Sequence, residues 1–260
     1  MVLLITAGGY VLLAHRARRL NPARGWSAKR TMSFLTGLVL LAAGVLPPLA
    51  PVAHHDFRAH MAQHLLIGMY APLALVLAAP VTLALRTLPP SRGRQLSTLL
   101  RSRTSRFLGH PLVALLLTVG SLVLLYFTPL YGVFMTHPTA HFLLHAHFLA
   151  SGCLFAHVIA GKDPAPQRLE VRARLVCLGF AIAGHAVISQ LIYGGFWTDI
   201  PAPVVQVQGG AEIMYYGGDI AELLLAAALV ASWRPAPRPR RRSAGTLADG
   251  TVGMTPLGPS

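Results

Sequence analysis

Twelve histidines are many for so apolar a chain, and most fall into two short stretches. One holds His54, His55, His60 and His64; the other holds His137, His141, His145 and His147. Asp56, His60 and His64 recur every four residues, and so do His137, His141 and His145. Residues four apart share one face of an α-helix, so each set becomes a column of side chains if its segment is helical. Imidazole is a ligand for copper, zinc, iron and nickel, and the thioethers of Met61, Met69 or Met135 would favour Cu(I). Two such columns brought together would place several imidazoles around one ion. The expected ligands are His60, His64, His141 and His145, with His137 and Asp219 as further candidates. A lone HxxxH pair is weak, because histidines also serve as ordinary hydrogen-bonding groups; two on one side of the molecule, with buried acids nearby, are stronger.

The other histidines read differently. His147 sits two residues from His145, faces another way and reads as structural or supporting. His15, His110 and His157 also read as structural, with His110 before Pro111 marking a helix start. His185 lies in the middle of an apolar segment and needs a partner from another helix, either Glu222 or Asp219.

The elements that must carry these residues are apolar helices. The 260 residues are 54% hydrophobic and 12% charged, where a soluble domain carries about 25% charge. Mean hydropathy is +0.56. Seven apolar segments can be read, at 2–15, 32–52, 60–85, 110–135, 138–160, 174–196 and 210–233. About 20 apolar helical residues cross a hydrocarbon core. The expectation is an all-α, polytopic transmembrane bundle of seven helices, or six if the short first segment does not span. It would be one transmembrane domain, 1–235, followed by a disordered basic cytoplasmic tail, 236–260. Counting inward from the outer ends, His64 lies ~6 Å deep, His145 ~10 Å and Asp219 ~13 Å.

Net charge is +14, and its placement indicates topology rather than nucleic-acid binding. Lys and Arg crowd into 16–30, 86–106, 162–174 and 234–242, while the alternate loops hold only Arg58. The positive-inside rule then puts the N-terminus outside, the C-terminus in the cytoplasm and the histidine layer at the outer face. Trp26 and Trp233 fall at the inner interface and Trp197 at the outer. Cys153 and Cys177 form no CxxC and read as buried structural thiols. The chain has no P-loop, G-x-S-x-G, HExxH or Rossmann fingerprint, and reads as a non-enzyme. Gly217-Gly218 and Gly194-Gly195 suit close helix contact or a break.

Ala59-His60-Met61-Ala62-Gln63-His64-Leu65-Leu66, followed by Ala71-Pro72 and Ala79-Pro80, resembles the HMxQHxLL stretch of the integral membrane CtaG family. These are the assembly factors of caa3-type cytochrome c oxidase. His110-Pro111, Thr128-Pro129-Leu130-Tyr131 and His141 to Gly152 are similar to that family's next two helices. Gly161-Lys162-Asp163-Pro164 resembles its following loop, and Gln208-Gly209-Gly210 through Gly217-Gly218 its last helix. The chain departs from the pattern in two places. Val205-Gln206-Val207-Gln208 stands where an Asp-Gln pair is common, and Tyr126-Phe127-Thr128-Pro129 where Trp-His-Xaa-Pro is, which removes one candidate ligand.

The resemblance implies a multi-pass protein of the bacterial plasma membrane that helps mature a haem–copper oxidase, with the oxidase subunits and the lipid bilayer as partners. It makes copper handling on the outer face the expected chemistry. Two other readings stay open on the residues. One is a copper permease with a polar path through His185, Asp219 and Glu222. The other is a haem-carrying redox protein using one histidine from the third segment and one from the fifth.

Overall fold

The computed structural model describes residues 1–23, 25–164, 169–198 and 200–232. Every regular element among them is helical. The expectations for Arg24, Arg168, Trp233 and the 236–260 tail fall outside the described residues.

Helices α1 (Val2–Leu20) and α2 (Ala28–Val45) are followed by the short α3 (Leu49–Ala53). Next come α4 (Phe57–Leu65), a π-helical turn at Leu66–Tyr70, α5 (Ala71–Leu77) and α6 (Pro80–Thr87). The basic stretch forms α7 (Pro90–Leu100) and α8 (Arg103–Leu108). Then α9 (Pro111–Leu115), a second π turn at Leu116–Gly120, and α10 (Ser121–Tyr126) lead into α11 (Leu130–Thr136). The long helices α12 (Pro138–Ala160), α13 (Val171–Gly194) and α14 (Val204–Ala231) complete the bundle.

Proline and glycine set several boundaries. Pro80, Pro90, Pro111 and Pro138 each open a helix, where the missing N–H costs nothing. Gly195, at φ 69°, closes α13 in the left-handed conformation.

Five helical stretches are long and apolar enough to cross a bilayer: Ala28–Val45, Phe57–Thr87, Pro138–Ala160, Val171–Gly194 and Val204–Ala231. A sixth forms if Pro111–Tyr126 and Leu130–Thr136, bent by 86° at their junction, count as one span. Helix α1 runs further than the expected 2–15, but only by taking in Arg16, Arg18 and Arg19, and it is not among these stretches. The expected 32–52 segment is interrupted by Leu46–Pro48. The expected 60–85 segment breaks at Ala78–Ala79, where Ala79 has φ 56°. Large apolar side chains point outward along the long helices, among them Phe142, Phe180, Tyr216 and Leu223, as they would in a multi-pass membrane protein.

Three apolar clusters hold the helices together. Phe57, Met61, Tyr126, Leu144, Phe148 and Met214 surround the histidine-bearing turns. Phe155, Ile159, Leu178 and Leu225 fill the other half of the long helices. Tyr10, Trp26, Phe34 and Leu83 join α1 to α2 and α6; Tyr10 stacks on Phe34 with centroids 3.9 Å apart.

Glycines permit two close approaches that position the site. A Cβ on Gly210 of α14 would fall 2.5 Å from Phe57 Cδ1, and one on Gly152 of α12 would overlap the carbonyl oxygen of Gly68 in the first π turn. Helices α12 and α14 therefore press against both ends of the segment that carries His60 and His64.

Candidate metal centre

Helix α4 buries both of its histidines. His60 is 1% exposed and His64 is 5% exposed. The Asp56 carboxylate, which shares their four-residue spacing, does not join them. It accepts from the Arg58 backbone N–H at 2.8 Å, capping α4, and pairs with the Arg58 guanidinium at 2.6 Å. That hydrogen-bonded pairing pulls the Asp56 carboxyl down to about 2.

His60 Nε2 lies 3.1 Å from the Tyr126 hydroxyl, which also reaches Met61 Sδ at 3.6 Å. The rings of Tyr131 and Tyr126 stand edge-on to the imidazole. His60 Nδ1 has no partner. One turn on, His64 stands edge-on to Phe148 with centroids 4.4 Å apart, and neither of its ring nitrogens has a partner.

From α12, His141 is buried and His145 partly so. Their rings lie 4.2 Å apart, and His54, from the turn after α3, packs on the other side of His141 at 4.4 Å. His60 is within electrostatic reach of His54, His64, His141 and His145. The two expected columns therefore lie within electrostatic reach of one another, while α12 packs on the π turn that follows α4 rather than on α4 itself. His137 caps α12 as its spacing before Pro138 implied, but it is exposed, and its Nδ1 lies 2.9 Å from Thr136 Oγ1 in its own turn. Asp219 sits half-buried on α14.

Deeper in the bundle, His185 Nδ1 and Glu222 Oε1 are 2.6 Å apart and both side chains are buried. His185 thus pairs with the buried acid of α14 rather than with Asp219. His147 Nε2 bonds the Leu117 carbonyl, and His110 Nδ1 accepts from Leu112 N–H as the cap of α9, both structural roles. Cys177 is buried and Cys153 half-buried, and both are free thiols.

Two participants escaped sequence reasoning. Tyr126 reads as an ordinary core aromatic, and only the fold shows its hydroxyl on His60. His54 carries no helical spacing to either column, and its contact with His141 comes from the turn that precedes α4.

As the side chains stand, no group of three or more His, Cys, Asp or Glu among the described residues is arranged to hold a metal ion. The donors nevertheless fit copper in kind. Buried His60 Nδ1, both nitrogens of His64 and His141 Nε2 lack partners, and Met61 lies beside them. A buried polar atom left unpaired costs about 1–3 kcal/mol, so several together mark a place built for something that accepts their lone pairs.

The family model described as cytochrome c oxidase caa3 assembly factor matches residues 8–236. The chain belongs to this family. The assembly-factor match covers all the helices described above except the first turns of α1. Among curated proteins, the chain is 31% identical over 246 residues to uncharacterised proteins of Mycobacterium bovis and Mycobacterium tuberculosis. Those alignments cover 87% of this chain and 36% of each relative. An uncharacterised protein of Mycobacterium leprae is 32% identical over 266 residues, covering 93% of this chain and 40% of the relative. The chain therefore spans well under half the length of the curated relatives it matches. No solved structure matches it significantly.

Proposed function

We propose that this assembly-factor chain serves a haem–copper cytochrome c oxidase by binding copper in the outer half of its bundle, through His60, His64, His141 and His145. What supports the reading is the set of buried imidazole nitrogens without partners on His60, His64 and His141, in two columns within electrostatic reach of one another. Neutral imidazoles with a neighbouring thioether suit Cu(I). His137 and Asp219, at the rim and on α14, are the next donors in line. The role is non-enzymatic: copper is held and passed to a subunit of the oxidase, the complex that the family description names.

The accompanying topology is seven helices, or six if α1 does not span, in a bacterial plasma membrane, with the N-terminus outside if α1 spans and the basic loops in the cytoplasm. The alternation of Lys and Arg between loops supports it. That orientation places the histidine layer on the outer side.

The reading is tested in a strain lacking this gene. Complementation with the wild-type chain restores oxidase copper content, and the His60→Ala/His64→Ala chain, present in the membrane at equal level, does not. Full restoration by that double variant rules out the assigned ligands. Copper permeation is the second reading, favoured by the buried His185–Glu222 pair beyond the outer cluster. It requires copper uptake by proteoliposomes containing the protein, above that of empty vesicles.

A further inference from the structure

The two π turns border the same small cavity. It has a volume of about 30 Å3 and is walled by Gly68 and Met69 from the first turn, Thr118 from the second, and His185 and Glu222 from α13 and α14. A space above roughly 10–15 Å3 admits one water-sized occupant. π turns inside α-helices occur frequently at functional sites, because the wider turn displaces side chains from their α-helical register.

The polar groups on its wall are arranged in a particular way. Glu222 Oε1 takes His185 Nδ1 at 2.6 Å, which fixes the imidazole ring and leaves Nε2 as the free nitrogen. That Nε2 is buried and has no partner, on a residue 3% exposed. A carboxylate holding one ring nitrogen while the other stays open is the arrangement that orients a metal-ligating histidine. His64, with both nitrogens unpartnered, is within electrostatic reach of His185. Gly68 stands beside His64 without a side chain to separate it from the cavity.

We propose that His185 and Met69, both on the cavity wall, form a second Cu(I) position in the middle of the bundle, oriented by Glu222. It rests on the copper reading above and extends it inward from the outer imidazoles. The donor types, an imidazole and a thioether, select a soft monovalent ion over a hard divalent one.

The test is anaerobic titration of the purified full chain with Cu(I) against a chromophoric chelator, followed by X-ray absorption at the copper edge. The wild type takes up a second equivalent beyond the outer one. His185→Gln and Met69→Leu each lose one equivalent, and Glu222→Gln weakens it about 10–100-fold. Gly68→Ala guards against misfolding, because its added Cβ meets His64 and Phe148 only at ordinary contact distances of 3.5–3.6 Å. It adds a methyl group to a residue that walls the cavity and also loses the inner equivalent. In a His141→Ala/His145→Ala chain the remaining copper shows a mixed nitrogen and sulfur shell, and adding Met69→Leu removes the sulfur.

If His185→Gln, Met69→Leu and Gly68→Ala all bind as the wild type does, the cavity holds water only and the inner position is overturned while the outer one stands. Copper lost in His185→Gln but untouched in His141→Ala/His145→Ala supports the inner position and removes the outer. A wild type that binds no Cu(I) overturns both.

Discussion

The Tyr126 hydroxyl is the only partner among the described residues that orients His60, and it does so from a helix distant in sequence. Tyr126→Phe keeps the ring and its packing but strips the hydroxyl, leaving a second buried imidazole nitrogen unpaired. The expected cost is about 1–3 kcal/mol, read as a lower unfolding midpoint in detergent. An unchanged midpoint would show that the hydroxyl does not hold His60. Asp56 acts at the entrance to the same helix. Its carboxyl is depressed by Arg58, so its contribution is complete above the ordinary value of 3.8 and is lost as pH falls through about 2. The stability gap between wild type and Asp56→Ala should therefore narrow from about pH 4 to about pH 2; a gap independent of pH would remove the ion pair from the account. At this scale the histidines were legible, because a four-residue spacing projects directly onto one helix face. That His185 needs an acid was legible too, since an ionisable group in an apolar run must be paired. The choice of Glu222 over Asp219 was not, because residues three apart share nearly one helix face and only the packing of α13 on α14 selects one.

Helix α12 meets the first π turn backbone to backbone, and Gly152 is what permits it. Gly152→Ala drives a methyl into the Gly68 carbonyl, and neither side can swing away as a flexible side chain would. The expected loss is at the upper end of about 1–3 kcal/mol for overpacking, with a matching fall in copper bound by the outer cluster. Gly179→Ala on α13 is the comparison, since nothing lies within 4 Å of its Cβ; it should be neutral or slightly stabilising. Equal effects from the two substitutions would refute the close approach. The long helices were readable as apolar runs, and Pro111 and Pro138 marked two helix starts, whereas the break before Pro80 was not readable. The two π turns were not readable, because adding a residue to one helical turn leaves no signature in residue type. Nor was the 86° bend after Tyr126, which divides what reads as one apolar segment.

For the whole molecule, the charge pattern predicts which loops face the cytoplasm, and the fold brings every outer-layer histidine of the two columns to one end of the bundle. In a chain with Cys153 and Cys177 replaced, a thiol at Trp197, which is 80% exposed, should react with an impermeant reagent on intact cells. A thiol at exposed Ser91 should react only after lysis. The reverse pattern would invert the topology and place the histidine layer in the cytoplasm, against the outer-face copper role.

The copper proposal stands or falls on whether the histidines of α4 and α12 hold the metal. Its most direct test is mass spectrometry of metals bound to the purified chain, with a visible spectrum of the same sample. At least one equivalent of copper is expected in the wild type, and it falls in His60→Ala/His64→Ala. A protein that stays metal-free, even after anaerobic Cu(I) loading, would contradict it and leave the imidazole layer as a surface for docking the oxidase.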